Sequence, residues 1–223
     1  MPLRNYESPE DYKHPAAFWR RIGKDYINMI DPADQSYKKQ EAYLLDFLNK
    51  LFYSHHVKSV LELGCGFGRI TKHFLNYFPL ETLEVVDCSP HQITNLMISM
   101  KASSYFRTHF NYHLIDVLSP HFSAFAQKNK NQFDLVIAVE LLMHVPTDNI
   151  KSVIHNMLTI SREHVVSVDW AKEGEYSQGI RAPENFLHDY FELYKNDGQA
   201  LHVSQCPIDS IDQSMFIVLK DHD

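Results

Sequence analysis

Three glycines stand at alternate positions in Glu62-Leu63-Gly64-Cys65-Gly66-Phe67-Gly68, directly behind the apolar pair Val60-Leu61. Without a Cβ, the backbone there can turn sharply and approach a ligand more closely than any side chain permits. Asp87 follows 23 residues after Gly64, at the end of a second apolar run. A carboxylate in that place can accept both hydroxyl protons of a ribose, and the interval is close to the roughly 20 residues of nucleoside-binding sheets. A dinucleotide loop needs a further glycine where Arg69 stands, so a nicotinamide dinucleotide is not the expected ligand.

Such residues need strands that deliver them to one edge. Residues 58–63 read as a short buried strand, and Ile70, Phe74 and Phe78, four apart, predict a helix behind the glycines that Pro79 ends. Residues 82–86 predict a second strand, with Ser89-Pro90 opening a second helix at proline's favoured first position. Residues 113–115 predict a weaker third strand, 133–139 a strong fourth, 148–160 a helix and 164–168 a fifth strand. Strands alternating with helices imply a parallel sheet with right-handed crossovers. The tail breaks this rhythm. Pro183-Glu184 predicts the start of a helix carrying Phe186, Tyr190 and Tyr194, with Gly198 at its end. Residues 200–203 and 215–219 then predict an antiparallel hairpin at the sheet edge. The expected fold is α/β: a doubly wound, mostly parallel seven-stranded sheet, Rossmann-like, with an antiparallel C-terminal strand and a helical N-terminal cap. Residues 1–54 are read as that cap and 55–223 as the nucleoside-binding domain it covers, the helical period over 35–52 carrying the cap's main helix.

Between residues 55 and 170 the chain resembles the class I S-adenosylmethionine-dependent methyltransferases, whose first motif has the Glu-x-Gly-x-Gly-x-Gly form of residues 62–68. The resemblance implies S-adenosyl-L-methionine as cofactor, held by Glu62, Gly64, Cys65, Gly66 and Phe67 of the loop. Asp87 matches the family's ribose-binding acid and Cys88 the residue that packs on adenine. Asp116, followed by Val117, matches the acid that meets the adenine amino group. Glu140-Leu141-Leu142-Met143-His144-Val145 is similar to a Glu-x-x-x-His-Val segment of small-molecule members, which places Glu140 in the cofactor set. The signatures for exocyclic amines (Asn or Asp, Pro, Pro, aromatic) and for cytosine C5 (Pro-Cys) are absent after the fourth strand, where Val139-Glu140-Leu141-Leu142 stands.

In such an enzyme the sulfonium already activates the methyl group, so the protein must align the acceptor, exclude water and supply a base where the acceptor is protonated. His144 is the first candidate for that base, having the side chain suited to neutral pH, and ordering of its own loop is the competing role. Asp169 and Trp170, at the fifth strand's exit, are candidates for the acceptor pocket, with Asp169 the second catalytic candidate. Glu140 and Asp169 fall where metal-dependent members carry acids, but Trp170 replaces the expected Asn, and no metal is assigned. Tyr12, Phe18, Trp19, Tyr37 and Tyr176 are candidates for a lid, while Arg181 and His188 could meet an anionic acceptor.

Composition bounds the alternatives. The 223 residues suit one domain, and the formal net charge of −7 argues against a nucleic-acid groove. Three cysteines form no even-numbered framework, which fits a reducing compartment and a cytoplasmic location. No apolar run approaches the roughly 20 residues that span a bilayer. The fourteen histidines are scattered and read as solvated or hydrogen-bonded. The leading expectation is O- or N-methylation of a small-molecule acceptor. A protein or RNA acceptor, and a cofactor-binding regulator without turnover, are the alternatives.

Overall fold

The computed structural model describes residues 14–28, 34–100, 108–170, 179–182, 185–209 and 211–221. Among the described residues α1 (Pro15–Ile22) and α2 (Gln35–His55) come before the sheet, and the Asp34 side chain caps α2 by accepting from the Ser36 N–H. Then β1 (Ser59–Leu63), α3 (Thr71–Tyr77), β2 (Thr82–Asp87), α4 (Pro90–Met100), β3 (His109–Leu114) and α5 (Pro120–Lys128) alternate. They are followed by β4 (Phe133–Val139), α6 (Ile150–Ile160) and β5 (Ser161–Asp169). A two-stranded ribbon, β6 (Gly179–Ala182) with β7 (Asn185–Leu187), precedes α7 (Tyr190–Lys195), β8 (Ala200–Pro207) and β9 (Ser214–Lys220).

Seven strands form one sheet in the order β3-β2-β1-β4-β5-β9-β8. β1 to β5 pair in parallel, and β9 runs antiparallel to both neighbours. Alternate strand residues serve opposite faces, as strand geometry requires. Val60, Leu135 and Ile137 pack with Leu44 and Leu48 of α2 and Phe74 of α3, whereas Leu61, Leu63, Val136 and Ala138 pack with Phe122 of α5 and Met157 of α6. Helices therefore cover both faces. The chain walks outward from β1 to β3 and returns to β4, so the strand order reverses between β1 and β4, and a cleft opens at their carboxyl ends.

The tail departs from expectation. Residues 185–187 are a strand paired with 179–182, not helix, and the helix starts at Tyr190, where the Asp189 side chain accepts from the Glu192 N–H. The four-residue spacing of Phe186, Tyr190 and Tyr194 thus mixes two elements; Tyr190 and Tyr194 both turn inward onto Phe216. The helix closes at Lys195, ahead of Gly198. Pro183 and Glu184 lie outside the described residues. β3 begins at His109 rather than at His113, as a sheet-edge strand with exposed Tyr112 and Leu114 that carries little apolar signal.

Candidate functional site

β1 ends in a loop whose Gly64, Gly66 and Gly68 all take positive φ, at 69°, 55° and 87°. The Gly64 N–H donates to the Val86 carbonyl at 2.7 Å, and Leu141 lies so close that a Cβ on Gly64 would sit 2.9 Å from it. Gly66 is different. A Cβ there would meet no protein atom within 4 Å, so its bare backbone borders open space. Asp87, at the end of β2, steadies this arrangement by accepting from the Gly66 N–H at 2.9 Å through one oxygen and from the Ser89 N–H at 2.8 Å through the other.

The space beside Gly66 is a cleft of about 980 Å³, a figure that includes its open mouth. Glu62, Gly64, Cys65, Gly66 and Phe67 line it from β1 and its loop, Asp87 and Cys88 from β2, and Asp116 and Val117 from the segment after β3. Glu140 and His144 line it from the segment after β4. One Asp116 oxygen accepts from the Leu118 N–H at 2.9 Å, which shapes that segment as a tight turn. Residues that linear motifs did not single out also reach the cleft, among them Gln92, Ile115 and Leu118.

Burial governs the charges. Glu62 is enclosed, which pushes its carboxyl up to about 8 against the opposing hydrogen bond from the Thr71 hydroxyl at 2.6 Å. Burial also raises Asp87, opposed by the N–H groups that it accepts from. Burial first, then Asp87, pushes the Cys88 thiol up to about 12, and burial raises Cys65 well above the usual thiol range. Both therefore stay neutral and serve as apolar surface.

After β4 the chain does not continue as an α-helix. Glu140 takes φ 55°, and a single 3₁₀ turn, Leu142–His144, follows. His144 faces the cleft, with its ring 4.7 Å from that of Trp19. Asp169 does not line the cleft. It is fully buried, its Oδ1 accepts from the Met143 N–H at 3.1 Å, and desolvation raises its carboxyl well above the usual range. Its place is beneath the turn that carries His144. Trp170 also falls outside the lining.

His188 is buried too, and its Nε2–H donates to the Val145 carbonyl at 2.8 Å, so it is committed to that turn rather than to an anionic acceptor. Glu140 gives its carboxylate to Arg69 and Gln213. Among the described residues no group of three or more His, Cys, Asp or Glu is placed to hold a metal ion.

The N-terminal segment roofs the cleft. Pro15, Ala16, Trp19 and Tyr26 line it, and Trp19 meets Tyr26 edge-on at 5.1 Å while Tyr26 reaches Phe67 of the glycine loop at 6.2 Å. Arg20 fastens α1 by donating from Nε to the Cys88 carbonyl at 3.0 Å. Phe18 is buried beneath the roof, and Tyr37 lies under the Arg69 guanidinium at 5.0 Å. Tyr12, Tyr176 and the Arg181 side chain lie outside the described structure.

Residues 60–164 match a protein-family model described as a methyltransferase domain. Among curated proteins none matches the sequence. Solved structures share the fold. Magnesium protoporphyrin IX methyltransferase from Synechocystis PCC 6803, with bound S-adenosylmethionine, is 13% identical with a TM-score of 0.67, and the match covers 95% of this chain and 97% of that one. The N-methyltransferase NodS from Bradyrhizobium japonicum WM9, with S-adenosylhomocysteine, is 17% identical with a TM-score of 0.62, covering 96% and 100%. Phosphoethanolamine N-methyltransferase 1 from Haemonchus contortus is 15% identical with a TM-score of 0.68, covering 99% of this chain and 51% of that one. The matched span makes residues 60–164 a methyltransferase domain by similarity, and the sheet order places it on the fold shared with enzymes solved with S-adenosylmethionine or S-adenosylhomocysteine bound.

The residues present fit that cofactor. The bare backbone of Gly66 leaves a cradle that a Cβ would fill, and Asp87 and Asp116 offer carboxylates at neighbouring strand exits.

Proposed function

We propose that this protein transfers a methyl group from S-adenosylmethionine to an oxygen or nitrogen of a small-molecule acceptor. The observation that carries the reading is the overhang of α1 and Tyr26 on one side of the cleft, with the Trp19 ring 4.7 Å from that of His144, which narrows the approach and favours a small acceptor over a macromolecular one. The net charge of −7 supports the same choice over RNA. In this reading residues 1–54 are the cap of the domain formed by 55–223. The three free cysteines suit a reducing compartment, and we assign the protein to the cytoplasm. No helix among the described residues is long and apolar enough to cross a membrane.

When bound, the cofactor supplies an electrophilic methyl group on a sulfonium, and the protein's work is orientation. Asp87 would hold the ribose hydroxyls, the Gly64–Gly66 backbone and Glu62 the amino-acid end, and Cys88, Asp116 and Val117 the adenine. Trp19 and Tyr26 exclude water and press the acceptor toward the floor of the cleft. His144 takes the acceptor's proton at a ring nitrogen, a step worth about 10²–10⁴-fold in rate. Asp169 contributes from beneath, by fixing the turn that carries His144.

The test is a screen of phenols, amines, thiols and carboxylates with methyl-labelled cofactor, alongside total RNA and protein. Label in a small phenol or amine product is expected. Label in RNA or protein alone would overturn the choice of acceptor.

A further inference from the structure

Four side chains far apart in sequence close a ring of hydrogen bonds at the edge of the cleft. Arg69 Nη2 donates to Gln40 Oε1 at 2.6 Å, and Gln40 Nε2 donates to Gln213 Oε1 at 2.6 Å. Gln213 Nε2 donates to Glu140 Oε1 at 2.8 Å, and Arg69 Nη2 closes the ring on Glu140 Oε2 at 3.4 Å. A guanidinium only donates and a carboxylate only accepts, so both amides must point in one sense to relay between them. Turning either one would set oxygen against oxygen. Both amides are buried, Gln40 at 0% and Gln213 at 6% relative exposure, where an unmade hydrogen bond is costly.

The ring spans four elements: Gln40 on α2, Arg69 behind the glycine loop, Glu140 at the exit of β4 and Gln213 in the turn between β8 and β9. Its end point is a strained one. Glu140 holds a left-handed φ of 55°, a conformation that persists in a residue with a side chain only where its surroundings over-determine it. The backbone contributes through the Glu140 N–H, which donates to the Val168 carbonyl at 2.8 Å. Both carboxylate oxygens are fixed by the ring. Glu140 and Arg69 line the cleft, whereas Gln40 and Gln213 do not.

We propose that Gln40 and Gln213 are positioning residues, which hold the Glu140 carboxylate and the strand exit in their binding geometry and so make cofactor affinity depend on the cap helix and the C-terminal hairpin. The inference rests on the cofactor reading of the cleft.

The test compares Gln40→Met, Gln213→Met and the double variant by thermal unfolding and by titration with S-adenosylhomocysteine. Each single change leaves a buried amide group unpaired and should lower both Tm and affinity. The double change removes both amides at once, so Tm should largely recover, because replacing both partners with apolar groups of similar shape is nearly neutral. Affinity should not recover: Glu140 is then held by Arg69 alone, and binding should stay about ten-fold weaker or worse. A double variant that binds within two-fold of wild type would show a merely structural role and overturn the proposal. Wild-type protein that does not bind S-adenosylhomocysteine at all overturns the reading of the cleft itself, and this inference with it.

Should the double variant not fold, Gln213→Glu decides. It sets a second carboxylate against Glu140, with Arg69, Glu41, His73 and Tyr37 beside the ring and Glu62 and Asp169 buried close enough to act on Arg69 and Glu140. Its affinity relative to wild type should be low at neutral pH and rise on acidification, as the new carboxyl gains a proton to donate. A ratio that does not change with pH would overturn the proposal.

Discussion

Asp87 and Gly66 meet through one hydrogen bond, yet they fail differently when replaced. Asp87→Ala removes the acceptor proposed for the ribose hydroxyls and should weaken S-adenosylmethionine binding by about 1.5–3 kcal/mol, as read by calorimetry. Unchanged affinity with the fold intact would remove the ribose assignment. Gly66→Val fills the open side of the loop and imposes a branched side chain at φ 55°, so binding should be lost altogether. Glu62 carries a pH signature. Its folded value of about 8 lies above the ordinary 4.5, so between them the folded protein keeps a proton that the unfolded chain has released. Stability from this group is complete below about 4.5 and lost as pH rises through about 8. Denaturant unfolding of ligand-free protein should therefore show stability falling across that window, by on the order of a few kcal/mol. Glu62→Gln, which can still accept from Thr71, should flatten that share of the slope; an unaltered slope would assign it to other groups. That these residues share one cleft was legible because the loop and Asp116 lie at or just past a strand end and Asp87 closes one, each in a linear motif. Asp169 also ends a strand, but position at an exit does not say which way a side chain points, and this one points beneath the turn. Gln40 and Gln213 left no local signal, since their meaning lies in a contact across 173 residues.

At the scale of elements, α1 is the part that decides access. It covers the cleft through Trp19, and Arg20 ties it to the carbonyl of Cys88. Removing the indole should open the roof without touching the residues proposed to hold ribose and adenine. Trp19→Ala should then speed S-adenosylhomocysteine dissociation several-fold in stopped-flow measurements, with association little changed; an unchanged dissociation rate would mean that the roof does not retain ligand. The central strands were readable because burial on both faces leaves continuous apolar runs such as Phe133-Asp134-Leu135-Val136-Ile137-Ala138-Val139. The edge strand β3 and the ribbon β6–β7 were not, for opposite reasons. Edge residues need few apolar side chains, while Phe186, Tyr190 and Tyr194 mimic a helical stripe across a strand-to-helix junction.

The whole molecule gathers the residues proposed for the nucleoside site around one cleft at the reversal of strand order, overhung by α1 and Tyr26. That arrangement belongs to S-adenosylmethionine chemistry and leaves Arg69 where a dinucleotide loop would need glycine. Turnover tests the later steps: with a genuine acceptor, His144→Ala should lower the rate strongly and flatten its rise with pH while cofactor affinity holds. A structural role for His144 would instead lower stability and affinity together and preserve the shape of the pH profile. The most direct test of the central claim precedes any acceptor. Wild-type protein titrated calorimetrically with S-adenosylhomocysteine should bind at one site, with no heat from NAD or NADP under the same conditions. Binding of a nicotinamide cofactor in its place, or no binding of S-adenosylhomocysteine by folded protein, would contradict the account.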